Sequence, residues 1–537
     1  MANVIVHQKR RSLFLIPVLV VACAAIGGVY GPGTHAAAAT GDDEITNSVK
    51  DFTSFYSTVQ QNFADPLNAD KSIYNGAIPG MLRTLDPHSN FFDPKALQAM
   101  REDQRGHYYG VGMQVVGRAL GGVMNTIVVN PFVGSPAYKA GLRPNDIIVE
   151  VNDKSTVGMS STEVADLLKG PRGTAVQIKV SRGESPENLT FNLVRDEINR
   201  SSIAEAFMVK PGIGYIKLEQ FIETTGADFD AALKKLDESQ LKGLVLDLRA
   251  NPGGMLTEAV SVAGHLLPKG DVIVSHHGRA SQERVYKASE GNHGFNYPIV
   301  VIVNRNSASA SEIVSGALQD HDRAWIFGDN TFGKGLVQTV YPLSNDTALA
   351  LTTAKYYTPS GRLIQRDYST VSFFDYYYRT NTTARNTADM KTTDSGRTVY
   401  GGGGISPDEK YEVPKPGPLE VALARQYMVP NYTKHFFSVH PGQLASGWSV
   451  DAAQMTDFAT WLKSQKFTFT DADFAKEYEP IRRGLQEDIY RTAFNSDAAM
   501  KYQYETDPEV LGAVAAMPQA QTLLNTASQA RAQKAQK

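Results

Sequence analysis

The chain has 537 residues, 42% of them hydrophobic and 20% charged, with 45 Gly and 26 Pro. That length exceeds what one core serves, and the composition is that of folded globular domains, which excludes collagen-like, coiled-coil and wholly disordered classes. Fifty-three basic against fifty-six acidic residues leave a formal charge of -3, with no cationic excess to neutralise phosphates, which argues against nucleic acid as a partner. Cys23 is the only cysteine, so an intrachain disulfide, a thiolate zinc site and dithiol redox chemistry are excluded.

Lys9, Arg10 and Arg11 precede an apolar run over residues 13–30, and small residues at 36–39 follow it, the layout of an export signal. Residues 1–40 are expected to be a cleaved signal peptide or, because the run is near the ~18-residue minimum for a span, a retained membrane anchor. Lipidation at Cys23 ranks third, since the apolar run continues past it. The positive residues place the bulk of the chain across the membrane from the cytoplasm, in the bacterial periplasm or cell envelope. Within 41–104, Ile45, Val49, Phe52, Phe55, Val59 and Phe63 recur at three and four, the period of an amphipathic helix. A second helix is expected over 74–85, ending at Asp86-Pro87. This N-terminal helical region reads as an arm for packing or oligomer contacts.

Over 105–197 short strands and glycine turns dominate, with one helix near 161–168. The segments YGVGMQVV, IVVNPFVGSPAYKAGLRPNDIIVEVND and EVADLLKGPRGTAVQIKVSRG resemble a PDZ domain. That resemblance implies that an extended peptide is added as a strand and its terminal carboxylate held in a glycine loop. Tyr109, Gly110, Val111 and Gly112 match that loop. The family's usual Gly before Asp146 is Asn145 here, a residue that also tolerates a left-handed turn.

Over 198–415 strand candidates at 213–218, 243–248, 299–303 and 324–327 alternate with helix candidates at 226–236, 257–267 and 309–318, which predicts an α/β domain with mostly parallel pairing. Residues 366–404, rich in Thr, Tyr, Asn and Gly, read as an inserted loop, with the core resuming at 405–408. Residues 416–525 turn helical, and 526–537 contain too little apolar surface to stay ordered by themselves.

Chemistry in such sheets sits past the carboxyl ends of the strands, where three loops fall: RANPGGM at 249–255, NRNSASASE at 304–312 and DNTFGKGLVQ at 329–338. Singly, each reads as an ordinary turn or helix start. Together with LDPHS at 85–89 and GISPD at 404–408, they resemble the carboxyl-terminal processing, or tail-specific, proteases. The likeness runs from about Gln60 to Asp408. It implies an α/β multidomain fold with a crotonase/ClpP-like serine protease core, an inserted PDZ domain, an N-terminal helical arm and a C-terminal helical extension. It also implies a Ser-Lys dyad: Ser309 as nucleophile, Lys334 as base and Gln338, four residues on and one helical turn away, beside the amine.

The residue chemistry suits those roles. A serine hydroxyl needs a base within hydrogen-bond reach, and a neutral lysine can be one. Lowering a lysine from ~10.4 to about 7 takes ~4.6 kcal/mol of preference for the amine, which burial near Phe332, Leu336 and Val337 could supply. Gln338 can orient the amine without restoring its proton as a carboxylate would. Ser309 sits at a predicted helix N-terminus, so the Ala310 N–H is a natural oxyanion donor. The resemblance points to Gly253 or Gly254 as the second. No metal or organic cofactor is called for.

Rival arrangements fit poorly. His321 is twelve residues along the same predicted helix, ~18 Å from Ser309. His276 and His277 are neighbours on a strand and face opposite ways. Ser239 and Lys242 form an SxxK on a polar helix with no KTG elsewhere. The expected activity is therefore a serine endopeptidase that selects exported proteins by their C-terminal tails. The competing reading is a catalytically inactive PDZ scaffold of the cell envelope, against which stands the presence of all three residues. A homo-oligomer and an unknown adaptor or activator remain open as partners.

Overall fold

The computed structural model describes residues 42–182, 187–369, 371–378, 386–440, 442–445 and 447–535. The export or anchor reading of 1–40 lies outside them. Among the described residues no helix is long and apolar enough to cross a membrane. The chain divides into two units, Met1–Ala77 and Ile78–Lys537.

In the first unit one helix, Asp42–Asn62, carries the predicted apolar stripe, and Ile45, Val49, Phe52 and Phe55 on it are exposed. The helical stretch expected over 74–85 forms over 69–83, and it is not one regular α-helix. A π-helical turn occupies Ile73–Ala77, and a short α-helix, Ile78–Arg83, opens the second unit. Pro79 removes a backbone donor, and Gly76 and Gly80 weaken helix propensity on either side.

Within the second unit, an antiparallel sheet runs in the order Met113–Leu120, Val123–Pro131, Ile147–Val151, Ala175–Ser181, Leu189–Val194, with Lys154–Ser155 beside the third strand. Val176, Ile178 and Val180 alternate inward onto Val128, Ile148, Val164 and Leu168, the period-2 pattern of a half-buried strand. Asn145 adopts φ 70°, the left-handed turn that asparagine tolerates. Met113–Leu120 pairs on one side only, leaving an open edge near the helix Ser161–Leu168.

The α/β core holds six strands in the order Ile203–Lys210, Ile213–Leu218, Gly243–Asp247, Ile299–Val303, Trp325–Gly328 and Glu409–Lys410. The first pair is antiparallel and the rest are parallel. Leu244, Leu246, Val301 and Val303 pack on the layer of Thr225–Lys235, Leu256–Leu266 and Ala310–Asp320. Tyr215, Val245, Val300 and Ile302 point the other way, against Val510, Ala513 and Met517. Coverage of both faces is what a parallel sheet requires.

The expected C-terminal helical extension supplies part of that second face. Helices from Pro418–Arg425 to Tyr478–Ala493 do build a separate core around Tyr432, Phe458 and Leu485. The last two, Pro508–Ala515 and Met517–Ala535, instead supply the outer layer of the core sheet. The tail from 526, expected to be disordered, continues the last helix to Ala535. Ala527 is buried, and Arg531 pairs with Asp271 at 2.8 Å. Propagating an existing helix needs no new nucleus, so a face of small residues suffices.

A second, antiparallel sheet goes beyond the predicted strand-helix alternation. Its long strand Ala348–Tyr357 pairs with Leu336–Pro342, Asn90–Phe92 and Val272–His277, and the last of these pairs with Arg284–Lys287. The segment 366–404 is not simply a loop. Its described parts include the helix Phe373–Tyr378 and the hairpin Asn386–Thr392 with Thr398–Gly401. Arg397 fastens this segment to the core through Asp322 at 2.6 Å and Asp408 at 2.5 Å.

Candidate active site

Ser309, Lys334 and Gln338 come from three different local structures and line one cleft of about 410 Å³, together with Gly254, His88 and Tyr356. Ser309 is the residue before the helix Ala310–Asp320 and stands at φ 53°, ψ -110°. A positive φ on a residue with a side chain is strained by about 1–3 kcal/mol and persists only where neighbours enforce it.

Those neighbours can be named. Asn251 in the glycine loop donates its amide to Leu218 O at 2.9 Å and accepts from the Gly253 N–H at 2.9 Å. Its carbonyl takes the Ala308 N–H and the Ser311 hydroxyl, both at 3.0 Å. A Cβ on Gly253 would lie 2.6 Å from Ala308 O and 2.8 Å from both Ala310 N and Ser309 Cβ, so only glycine fits there. Gly253 and Gly254 have φ of 97° and 143°, values that glycine reaches without a Cβ penalty.

Glu312 ties the serine to the lysine loop. Its fully buried carboxylate accepts from the Ser309 N–H at 2.8 Å, the Thr331 hydroxyl at 2.5 Å, the Gly333 N–H at 2.7 Å and the Lys334 N–H at 2.9 Å. Burial raises its pKa, and these hydrogen bonds oppose the rise. Thr331 Oγ1 in turn accepts the Ile405 N–H at 2.7 Å, which fixes the GISPD segment against the loop. Burial pushes the Lys334 ammonium below the usual lysine range, against the opposing pull of Glu312 and Asp86.

Gln338 lies in the strand Leu336–Pro342, at a bulge after Val337, and its amide donates to Thr352 Oγ1 at 3.4 Å. The spacing from Lys334 is therefore a loop entering a strand, not the helical turn expected. The irregular register sets the glutamine on the cleft.

Three further residues shape the site. Asp86 holds the LDPHS turn by accepting from the His88 and Ser89 N–H groups, each at 2.7 Å, and from the Ser89 hydroxyl at 2.6 Å. His88 is driven down to about 4, first by burial and then by the Lys334 charge, so it is a neutral wall of the cleft at pH 7. The fully buried Tyr356 hydroxyl bonds to the carbonyl oxygens of Ser309, at 3.1 Å, and Lys334. Glu312 and His88 fall inside the quoted motifs. Tyr356 carried no local signal and is found only through its hydroxyl contacts. Tyr356→Phe strips a donor shared by the two loops, at about 1–3 kcal/mol. Steady-state kinetics on a short peptide should show kcat lowered about 10- to 100-fold with KM nearly unchanged.

His321, excluded as a base, caps the far end of the serine helix and is bound by Asp394 at 2.8 Å and Val272 O at 2.7 Å. In the PDZ segment, Tyr109 and Gly110 belong to the strand His107–Gly110, paired with Asp196–Asn199, while Val111 and Gly112 form the turn before the open edge strand. The predicted four-residue loop is thus half ladder. Gly112 has φ 76°, and a Cβ there would meet Ser135 Cβ at 2.4 Å.

A strained serine opening a helix, on a cleft that a half-buried lysine also lines, and a separate antiparallel sheet with an open edge fit a serine-type peptidase carrying a PDZ domain. Comparison with known proteins agrees: Peptidase family S41 matches residues 212–370 and the PDZ domain matches 127–182. The chain is 41% identical over 302 residues to a carboxy-terminal-processing protease of Bartonella bacilliformis, covering 55% of this chain and 68% of that protein. It is 33% identical over 340 residues to the carboxy-terminal processing protease CtpB of Bacillus subtilis, covering 62% and 70%. Among solved structures it is similar to a photosystem II D1 C-terminal processing protease, at 30% identity over 68% of this chain and 88% of that one, with a TM-score of 0.35. The chain belongs to the carboxy-terminal processing proteases, serine peptidases that process proteins.

Proposed function

We propose that this chain is an endopeptidase working through a Ser309–Lys334 dyad on proteins chosen by their C-termini. The observation that carries the reading is that Ser309, a half-buried Lys334 and Gln338 line one cleft. The neutral Lys334 amine takes the Ser309 hydroxyl proton as Oγ attacks the scissile carbonyl carbon. The resulting oxyanion lies between the Ala310 N–H at the helix start and a glycine-loop N–H. Gly253 donates its N–H to Asn251, whereas Gly254 lines the cleft, so Gly254 is the second donor. As the tetrahedral species collapses, the C–N bond breaks and the Lys334 ammonium gives its proton to the leaving amine. Water then attacks the acyl carbon and gives a proton to Lys334, and as the second tetrahedral species collapses the C–Oγ bond breaks and the Lys334 ammonium returns that proton to Ser309 Oγ. With its amide nitrogen on Thr352, Gln338 has a carbonyl oxygen left to orient the amine.

The open edge of Met113–Leu120 suits an added peptide strand, with the turn at Val111 and Gly112 receiving the terminal carboxylate. Export through residues 1–40 belongs to the same proposal, as does a homo-oligomer contact on the exposed stripe of Asp42–Asn62 and an unidentified adaptor or activator. A serine-reactive fluorophosphonate should label Ser309 in wild type and much more slowly in Lys334→Ala. Equal labelling of Ser309 in both would remove Lys334 as the base.

Only the free amine of Lys334 can accept the proton, so kcat/KM should rise with pH through a lysine titration held below its ordinary ~10.4. The pH profile of single-turnover acylation checks this. A rate that falls as pH rises over the same window would contradict the assignment.

A further inference from the structure

The described part of the 366–404 insertion carries an aromatic surface that the catalytic proposal does not use. In the helix Phe373–Tyr378, Phe373, Phe374, Tyr377 and Tyr378 are exposed, and Phe374 and Tyr378 show 64% and 70% of their surface. Their rings pair at i, i+4: Phe373 with Tyr377 at 4.8 Å and Phe374 with Tyr378 at 5.0 Å. Isolated exposed apolar residues are ordinary, but a contiguous aromatic patch marks an interaction surface.

This patch is held in place. Tyr376 is 3% exposed, and its hydroxyl meets His88 Nε2 at 2.9 Å and accepts from Gln365 Nε2 at 3.1 Å. The Tyr377 hydroxyl donates to Pro87 O at 3.0 Å. The Arg366 guanidinium lies over both Phe332, at 3.9 Å, and Tyr376, at 4.2 Å, a cation–π stack that ties the segment to the lysine loop. His88, touched by both Tyr376 and Tyr377, is itself a wall of the cleft. The aromatic helix is therefore joined, through Tyr376 and Tyr377 on His88, to a wall of the cleft that Ser309 and Lys334 line.

We propose that the exposed face of Phe373–Tyr378 is an exosite for the substrate chain, binding an apolar or aromatic stretch of unfolded polypeptide outside the cleft. The inference rests on the peptidase reading of that cleft. Rigid aromatic rings offer large contact area at small entropic cost and accept many apolar sequences, which suits a partner defined by being unfolded. Folded proteins bury such stretches, so the patch favours chains that have lost their cores.

The test uses Phe374→Ser combined with Tyr378→Ser, both at exposed positions, and two probes: a permanently unfolded polypeptide with an apolar tail, and a short peptide with the same tail and cut site. In the Ser309→Ala background, fluorescence anisotropy should show the double variant binding the unfolded polypeptide about tenfold more weakly. With Ser309 intact, its kcat/KM on the short peptide should equal that of wild type. Unchanged polypeptide binding would overturn the exosite. So would equal weakening of both probes, which would make the segment a support of the cleft. Binding to phosphatidylglycerol vesicles that depends on Phe374 and Tyr378, with polypeptide affinity unaltered, would overturn it in favour of a membrane surface. Failure of wild type to cut the short peptide would instead count against the dyad, while the binding arm would still decide the exosite.

Discussion

Lys334→Ala should lower kcat about 10³- to 10⁴-fold on a short peptide, near the upper range for loss of a positioned general base. Lys334→Arg should recover none of it, because a guanidinium stays protonated at every working pH. Ser309→Ala should remove acylation altogether, and combining it with Lys334→Ala should cost little more, since the two act as a unit. Both side chains line the cleft, so neither change disturbs a core, and matched circular dichroism spectra would confirm intact folds. A Lys334→Ala protein retaining more than a tenth of wild-type kcat would contradict the assignment.

Glu312→Ala is expected to have the second-largest effect, by a different route. The carboxylate is fully buried and takes four donors from three loop positions and one hydroxyl. Its removal strands the Ser309, Gly333 and Lys334 N–H groups, each at about 1–3 kcal/mol unless water enters. Ser309 then loses a restraint on its φ of 53°, and a displacement near 1 Å in such a site costs about 10²-fold in rate. Kinetics should show kcat down at least that far. Amide hydrogen exchange should quicken over 304–312 and 329–338 while the sheet centred on Gly243–Asp247 and Ile299–Val303 keeps its protection. Unchanged exchange in both loops would make the hydrogen-bond hub incidental.

Four of the six core strands were legible in the sequence as apolar runs, three of them, Ile213–Leu218, Gly243–Asp247 and Ile299–Val303, each followed by a helix, whereas the edge strands Ile203–Lys210 and Glu409–Lys410 were not foreseen. The site loops were legible as motifs, and Ser309, Lys334 and Gln338 line one cleft. Less legible was anything set by distant pairing. The strand status of Gln338 depends on its hairpin partner Ala348–Tyr357, reached across the turn at Asn345 and Asp346, a pairing that the lysine motif by itself does not show. Tyr356 reaches Ser309 and Lys334 only through that pairing. The proposed preference for Gly254 rests on the Gly253 N–H donating to Asn251, a contact within the loop that spacing does not reveal. The tail from 526 was misjudged because its Ala-rich, polar composition looks weak, yet it extends the helix Met517–Ala535, whose Met517 and Ala520 already pack with Val300 and Ile302 of the sheet. Residues 366–404 read as polar and irregular, but ion pairs such as Arg397 with Asp322 can fix a segment that has little apolar surface.

Intact mass spectrometry of an unfolded protein with an apolar C-terminal tail bears most directly on the proposed chemistry and selection together. The protein should be incubated with wild type, Ser309→Ala and Lys334→Ala, with the tail carboxylate either free or amidated. Cleavage by wild type alone, weakened when the tail is amidated, is the expected result. Cleavage by Ser309→Ala at the wild-type rate would contradict the dyad, and equal cleavage of free and amidated tails would contradict selection through the terminal carboxylate.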